Sequence, residues 1–163
     1  IMHQCIVGAF DAMTQYHAQD QDRSQAWVTN DSYRIARKII LPWHDLYDAK
    51  FNVWHDWGFR EAEHLDDLDK AICFVVGENY GSIERASVAI AMHVRRLAAR
   101  EPIDHREPFY STFFRIRVYK KGTVHLEWLD EETWERFNWA AARYKNWIPD
   151  KAYGKYGREK AYA

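Results

Sequence analysis

Residues 113–146 read FFRIRVYKKGTVHLEWLDEETWERFNWAAARYKN, and this stretch decides the fold. Phe114, Ile116 and Val118 alternate with Arg115, Arg117 and Tyr119. Beyond a turn, Val124, Leu126 and Trp128 alternate with His125 and Glu127. A period of two marks strands with one buried face. Lys120-Lys121-Gly122 supplies a three-residue closure with glycine at the left-handed position. That closure sets a register: Tyr119 faces Thr123, Val118 faces Val124, and Arg117 faces His125. Ile116 then faces Leu126, Arg115 faces Glu127, and Phe114 faces Trp128. All apolar pairs share one face, and a slip of one residue would scatter both faces.

The same stretch continues into a helix. Asp130 is its predicted cap, and Glu131 and Glu132 occupy the first turn, where the helix dipole favours acids. Trp134, Phe137, Ala141 and Tyr144 form the predicted buried stripe, with Trp139 off it. Asn138 flanks the stripe and is expected to bond neighbouring backbone in the core rather than a ligand. Arg143 and Lys145 suit the C-terminal end, and Trp147-Ile148-Pro149 closes it.

Working outward, residues 1–19 space apolar side chains by three and four, from Met2 through Ile6 and Ala9 to Tyr16, as one helical face does. Gln19–Gln25 reads as a loop. Tyr33, Ile35, Ile39 and Leu41 fall on odd positions and predict a strand ending at Pro42. Residues 43–64 read as largely irregular, pinned by aromatic anchors, with room for one short helix. Asp66 or Asp67 caps a predicted apolar helix that runs through Cys73 and Val76 and stops at Gly77. Ser82 caps the next, whose stripe is Ile83, Ala86, Ile90, Val94 and Leu97. The run EPIDHREP at 101–108 breaks the chain before the hairpin. The fold class is therefore α+β: a small antiparallel sheet holding the C-terminal hairpin, packed with about four helices. Residues 1–149 read as one domain and residues 150–163 as a loosely ordered tail.

Composition bounds the function. The chain has 163 residues, 23 basic against 24 acidic, and a net charge of −1. That balance excludes a polycationic nucleic-acid coat and an acidic DNA mimic, so a nucleic-acid partner needs a local basic patch. Aromatic residues make up 16%, enough for a rich core or for a stacking or protein-binding surface. Cys5 and Cys73 are far apart, and Cys73 sits in an apolar run as a buried free thiol would. A reducing, cytoplasmic setting fits, and no membrane-spanning run is present. The chain opens Ile1-Met2, which leaves room for it to be one domain of a longer protein.

The second face of the hairpin gathers Arg115, Arg117, Tyr119, His125 and Glu127, with Lys120 and Lys121 at its rim. Its plainest reading is a solvated strand face with a cross-strand Arg115–Glu127 ion pair. Its functional reading is a phosphate-contacting surface. Arginine forks match phosphate oxygens, and Tyr119 offers a plate for a base. A third reading is a metal-independent nuclease, in which His125, titrating near neutrality, moves the proton and Arg117 stabilises the phosphorane. Arg34, Arg37 and Lys38 could extend the basic patch. His55, Asp56, Glu61, Glu63 and His64 cluster in sequence without metal-ligand spacing, so no metal or other cofactor is expected. His93 is expected to be a half-buried structural residue. His44 and His105 show no evident partner.

The block KKGTVHLEW, then WERFN, then AARYKNWIP, preceded by the aspartate-rich helix LDDLDKAICFVVG, resembles an uncharacterised domain family of phages, plasmids and other mobile elements. Its members often sit beside, or are fused to, class I S-adenosylmethionine-dependent DNA methyltransferase-like regions. The resemblance is strongest over Phe109–Pro149 and reaches back to KIILP. The methyltransferase signatures themselves are missing: there is no glycine-rich loop after a strand and no Asn/Asp-Pro-Pro-aromatic motif.

The leading functional expectation is an accessory domain that binds nucleic-acid backbone through Arg115, Arg117, Tyr119, Lys120, Lys121 and His125. It would assist DNA modification or counter host defence, without catalysis of its own. The alternatives are a protein-binding inhibitor of a host defence complex and the His125 nuclease. The expected partners are nucleic acid, or a defence or methyltransferase protein.

Overall fold

A computed structural model describes residues 4, 6–9, 35–56 and 58–144. Residues 6–9 are helical, with Ile6 and Ala9 buried as their spacing predicts. The remainder of the expected first helix, Tyr33, Arg34, the helix closure at Trp147–Pro149 and the tail lie outside the described residues.

In chain order the elements are β1 (Lys38–Pro42), β2 (Tyr47–Asp48), β3 (Val53–Trp54), α1 (Ala62–Val76), a 3-10 turn (Tyr80–Ser82) and α2 (Ala86–Ala98). Then come β4 (Phe109–Tyr110), β5 (Phe114–Tyr119), β6 (Thr123–Trp128) and α3 (Glu131–Tyr144). Four strands form an antiparallel sheet in the order β1-β6-β5-β4, and β2 and β3 form a separate two-stranded sheet. The helices pack on one face of the large sheet. The fold is α+β, as the alternating and helical periods predict.

All six expected β5–β6 pairs are present, from Phe114–Trp128 to Tyr119–Thr123. Gly122 has φ +87°, and a Cβ there would lie 2.9 Å from the Trp43 carbonyl oxygen, so only glycine fits this turn. The Trp43 amide donates to the Gly122 carbonyl at 2.8 Å, which pins the hairpin tip to the chain after β1. β1 ends at Pro42 as predicted and lies at the sheet edge, where proline is tolerated.

β1 starts later than the odd-position pattern suggests. Ile35 is buried, but its backbone is held by side chains of α3 instead of a strand. Asn138 Oδ1 accepts the Ile35 amide at 2.7 Å, and Trp134 Nε1 donates to the Ile35 carbonyl at 2.7 Å. Asn138 Nδ2 donates to the Trp134 carbonyl, so the fully buried amide is satisfied at both ends. Its expected core role is met. Asp130 caps α3 through the Thr133 amide at 2.7 Å, and Phe137 and Ala141 are buried on its stripe. Trp134 is half-buried.

Two predicted caps are wrong. α1 begins at Ala62, four residues before Asp66, and its first turn has no side-chain cap. Asp66 and Asp69 instead serve the next helix. Asp69 Oδ2 accepts the Ala86 amide at 2.8 Å, and Asp66 accepts from Ser87 and pairs with Arg85. Ser82 does not cap α2 either. Both backbone groups of Glu84 are bonded to Thr112, which holds the chain extended until Ala86. The orphan amide at the start of α2 then finds Asp69 across the helix pair. Gly77, with φ +80°, ends α1 as expected.

Residues 43–64 are more regular than expected. They hold the β2–β3 hairpin, whose turn is braced by Asp48 accepting the Lys50 and Phe51 amides. Aromatic anchors are present, with Trp43 on Phe59 and Tyr47 on Trp54, each pair at 4.9 Å between centroids. Cys73 is a buried free thiol, and burial raises its pKa to about 11. His93 stacks on Phe109 at 4.0 Å, the structural role expected of it. No helix among the described residues is long and apolar enough to cross a membrane.

Candidate functional site

The sheet register lays out the uncovered face as rows, because paired residues project to the same side. Nearest the hairpin tip lie Pro42, Thr123 and Tyr119. The middle row is Ile40, His125 and Arg117. The far row is Lys38, Glu127, Arg115 and Tyr110. Arg115, Arg117, Tyr119 and His125 are thus brought together as expected. Lys38 joins them, extending the basic patch. Arg37 points elsewhere, 5.6 Å over the Trp134 ring and 3.7 Å from Glu131.

Charge on this face is one-sided. Among the described residues of its rows Glu127 is the only carboxylate, and it lies 3.7 Å from Arg115. Among the described residues no carboxylate pairs with Lys38, Arg117, Lys120 or Lys121. Arg117 Nε is buried without a hydrogen-bond partner.

His125 requires a correction. Burial first, then Lys38 and Lys121, lowers its pKa to about 4, so it does not titrate near neutrality. Its Nε2 lies 3.2 Å from Thr123 Oγ1, its Nδ1 is buried without a partner, and its ring packs on Tyr119 at 4.3 Å. At physiological pH the imidazolium form that serves as a general acid is then scarce.

Tyr119 is half-buried, with His125 against its ring and Lys121 Nζ 5.9 Å from the ring centroid. The open aromatic of the face is Tyr110, 53% exposed. Sequence reading missed it because β4 is only two residues long, too short for a period to register.

A cleft of about 390 Å³ opens where β5 runs beyond β4, lined by His105, Arg106, Arg117, Tyr119, Lys120 and Lys121. His105 and Arg106 were not expected here. They belong to the loop before β4, and no local pattern ties them to the hairpin. His105 does have a partner: its ring packs on Trp54 at 5.4 Å. Burial first, then Lys120, lowers its pKa. Arg106 forks onto Asp104 at 3.0 and 2.9 Å, and its hydrogen bonds hold the Asp104 carboxyl down at about 2.

Elsewhere, Trp43, Trp54 and Trp128 are buried, and Trp134 and Trp139 are half-buried. Much of the aromatic richness therefore serves the core. Among the described residues no group of three or more His, Cys, Asp or Glu converges as metal ligands would. In the segment 55–64, His64 faces Glu61 at 4.0 Å and Asp56 faces Arg95 at 3.7 Å.

The chain belongs to the family described as a domain of unknown function, DUF4942, whose model matches residues 1–147. No curated protein and no solved structure matches it.

Proposed function

We propose that this DUF4942 domain binds nucleic-acid backbone through the open face of its sheet. We place it as an accessory module of phages and other mobile elements that serves DNA modification or counters host defence. The observation that carries the reading is the charge imbalance of that face. Lys38, Arg117, Lys120 and Lys121 stand without a described carboxylate partner in a protein whose net charge is −1. Cations left unpaired together on one sheet face repel one another, and a polyanion relieves that repulsion. Tyr110, Tyr119 and the arginine forks add stacking and bidentate donors.

The test is fluorescence anisotropy with labelled DNA and RNA at two salt concentrations. Engaging four or so phosphates gives a log–log salt slope of roughly −3 to −4. Arg115→Ala, Arg117→Ala and Lys121→Ala each weaken binding and flatten that slope by about one contact. Absence of binding at about 50 mM salt removes the proposal.

A protein-binding role is the second reading. A groove of about 520 Å³ between α2 and β4 exposes Met92, Val88 and Tyr110 beside Phe109. A pull-down partner lost in Met92→Asp but kept in Arg117→Ala would favour that reading over backbone binding.

A further inference from the structure

We infer that the cleft at the hairpin tip is a binding site for a terminal phosphate monoester, its ligand being a phosphorylated end of a nucleic-acid strand. The inference rests on the backbone-binding reading of the neighbouring face and gives it a chain-end preference.

The first ground is shape. β4 pairs only with Arg115 and Ile116, so β5 from Arg117 to Tyr119 is paired with β6 alone and has no strand on its β4 side. The Glu101–Pro108 loop walls off that side and leaves a concave space of about 390 Å³. A phosphodiester inside a strand carries an ester link on both sides and needs an open track. A terminal phosphate carries one link and three free oxygens, so it can enter a cleft end-on.

The second ground is charge. Arg106, Arg117, Lys120 and Lys121 converge here with no carboxylate among the described lining residues, and Asp104 is engaged by Arg106. A diester brings one negative charge. A monoester brings nearly two at neutral pH and has more acceptor oxygens to share among several cations.

The third ground is preorganisation. The Gly122–Trp43 bond fixes the turn that carries both lysines, and Lys120 Nζ is held 4.7 Å from the Tyr47 ring centroid. The Tyr119 carbonyl accepts the Gly122 amide within the hairpin. Ladder alternation therefore turns the Val118 amide outward, to the open edge that lines the cleft. The lowered pKa values of His105 and His125, each due in part to facing lysines, report the same positive field.

The experiment compares one short single-stranded oligonucleotide carrying a 5′-phosphate, a 3′-phosphate or neither, bound to the full chain. The expected result is about tenfold tighter binding of a phosphorylated end. Arg106→Ala erases that preference while lowering the unphosphorylated oligonucleotide's affinity far less than the phosphorylated one's. Asp104→Asn moves the preference the other way, because it removes the competing carboxylate. Lys120→Ala lowers both affinities, the phosphorylated one more.

Equal binding of phosphorylated and unphosphorylated strands overturns the inference and leaves the backbone reading standing. Binding of neither, with no binding of a nucleoside monophosphate, overturns both. A nucleoside monophosphate that binds, and is lost in Arg106→Ala, while no oligonucleotide binds, keeps the monoester site and removes the backbone reading.

Discussion

The two faces of the four-stranded sheet share one alternation and use it differently. On the helix side Phe114, Ile116, Val118, Val124, Leu126 and Trp128 are all buried in a continuous core. On the other side Arg115, Arg117, Tyr119, Thr123 and His125 are half-exposed and Glu127 is exposed. The helix side is not flawless, since Trp128 Nε1 also lacks a partner. The difference is one of charge. An unpaired indole N–H costs a hydrogen bond, whereas the open face holds several like charges side by side. One face serves stability, and the other holds cations without described carboxylate partners.

The largest break in this comparison comes from the covered side. Phe114 is fully buried and packs edge-on against Trp128 at 4.8 Å. Phe114→Ala should cost about 3–5 kcal/mol in urea unfolding. The oligonucleotide affinity of the folded fraction should stay unchanged. A selective loss of affinity at full stability would show that the faces are not separable.

Next comes the carboxylate that the covered side should not contain. Asp69 is fully buried on α1, with its pKa raised to about 7, first by burial and then by Asp66, against the Ala86 bond and Arg85. The folded-state value lies above the unfolded one, so its share of stability is present below about pH 4 and lost as pH climbs through 7. The loss is up to about 4 kcal/mol. Asp69→Asn keeps an acceptor for the Ala86 amide and removes the ionisation. The variant should gain on the wild type between about pH 5 and pH 8 in thermal or urea unfolding. Parallel pH curves would dispose of this account.

The smallest effect sharpens the other side. Arg115 and Glu127 are 3.7 Å apart, with side chains 38% and 51% exposed. A double-mutant cycle should give a coupling below about 0.5 kcal/mol. Glu127→Gln alone should strengthen oligonucleotide binding, because it deletes the only carboxylate among the described residues of the face. A coupling above about 1 kcal/mol would mean the pair is structural and not spare.

What was legible follows from the range of the forces involved. The β5–β6 register could be read because six alternating pairs and one glycine agree over fifteen residues. α3 could be read from Asp130 and its stripe. The caps of α1 and α2 could not, because Asp66 and Asp69 satisfy a helix start 17 to 21 residues away. An aspartate looks the same whether it caps its own helix or another. The cleft was hidden for a similar reason. Arg106 and Arg117 meet only because a two-residue strand, β4, brings the preceding loop alongside β5. The face residues were legible as a group, but the lowered pKa of His125 depends on burial and on Lys38 from another strand.

The pairing of β1 with β6 also sets a timetable. Pro42 lies opposite Thr123, and Ile35 is held by Trp134 and Asn138. At ordinary rates of synthesis the partner strand of β1 emerges roughly 4–18 s after β1 itself. During that interval Ile39 and Leu41 have no sheet to join, and the long loop must close before any of its contacts form. The hairpin and α3 are local and can form as soon as they appear. A late-made strand, β6, is thus the template on which the earliest described strand is laid.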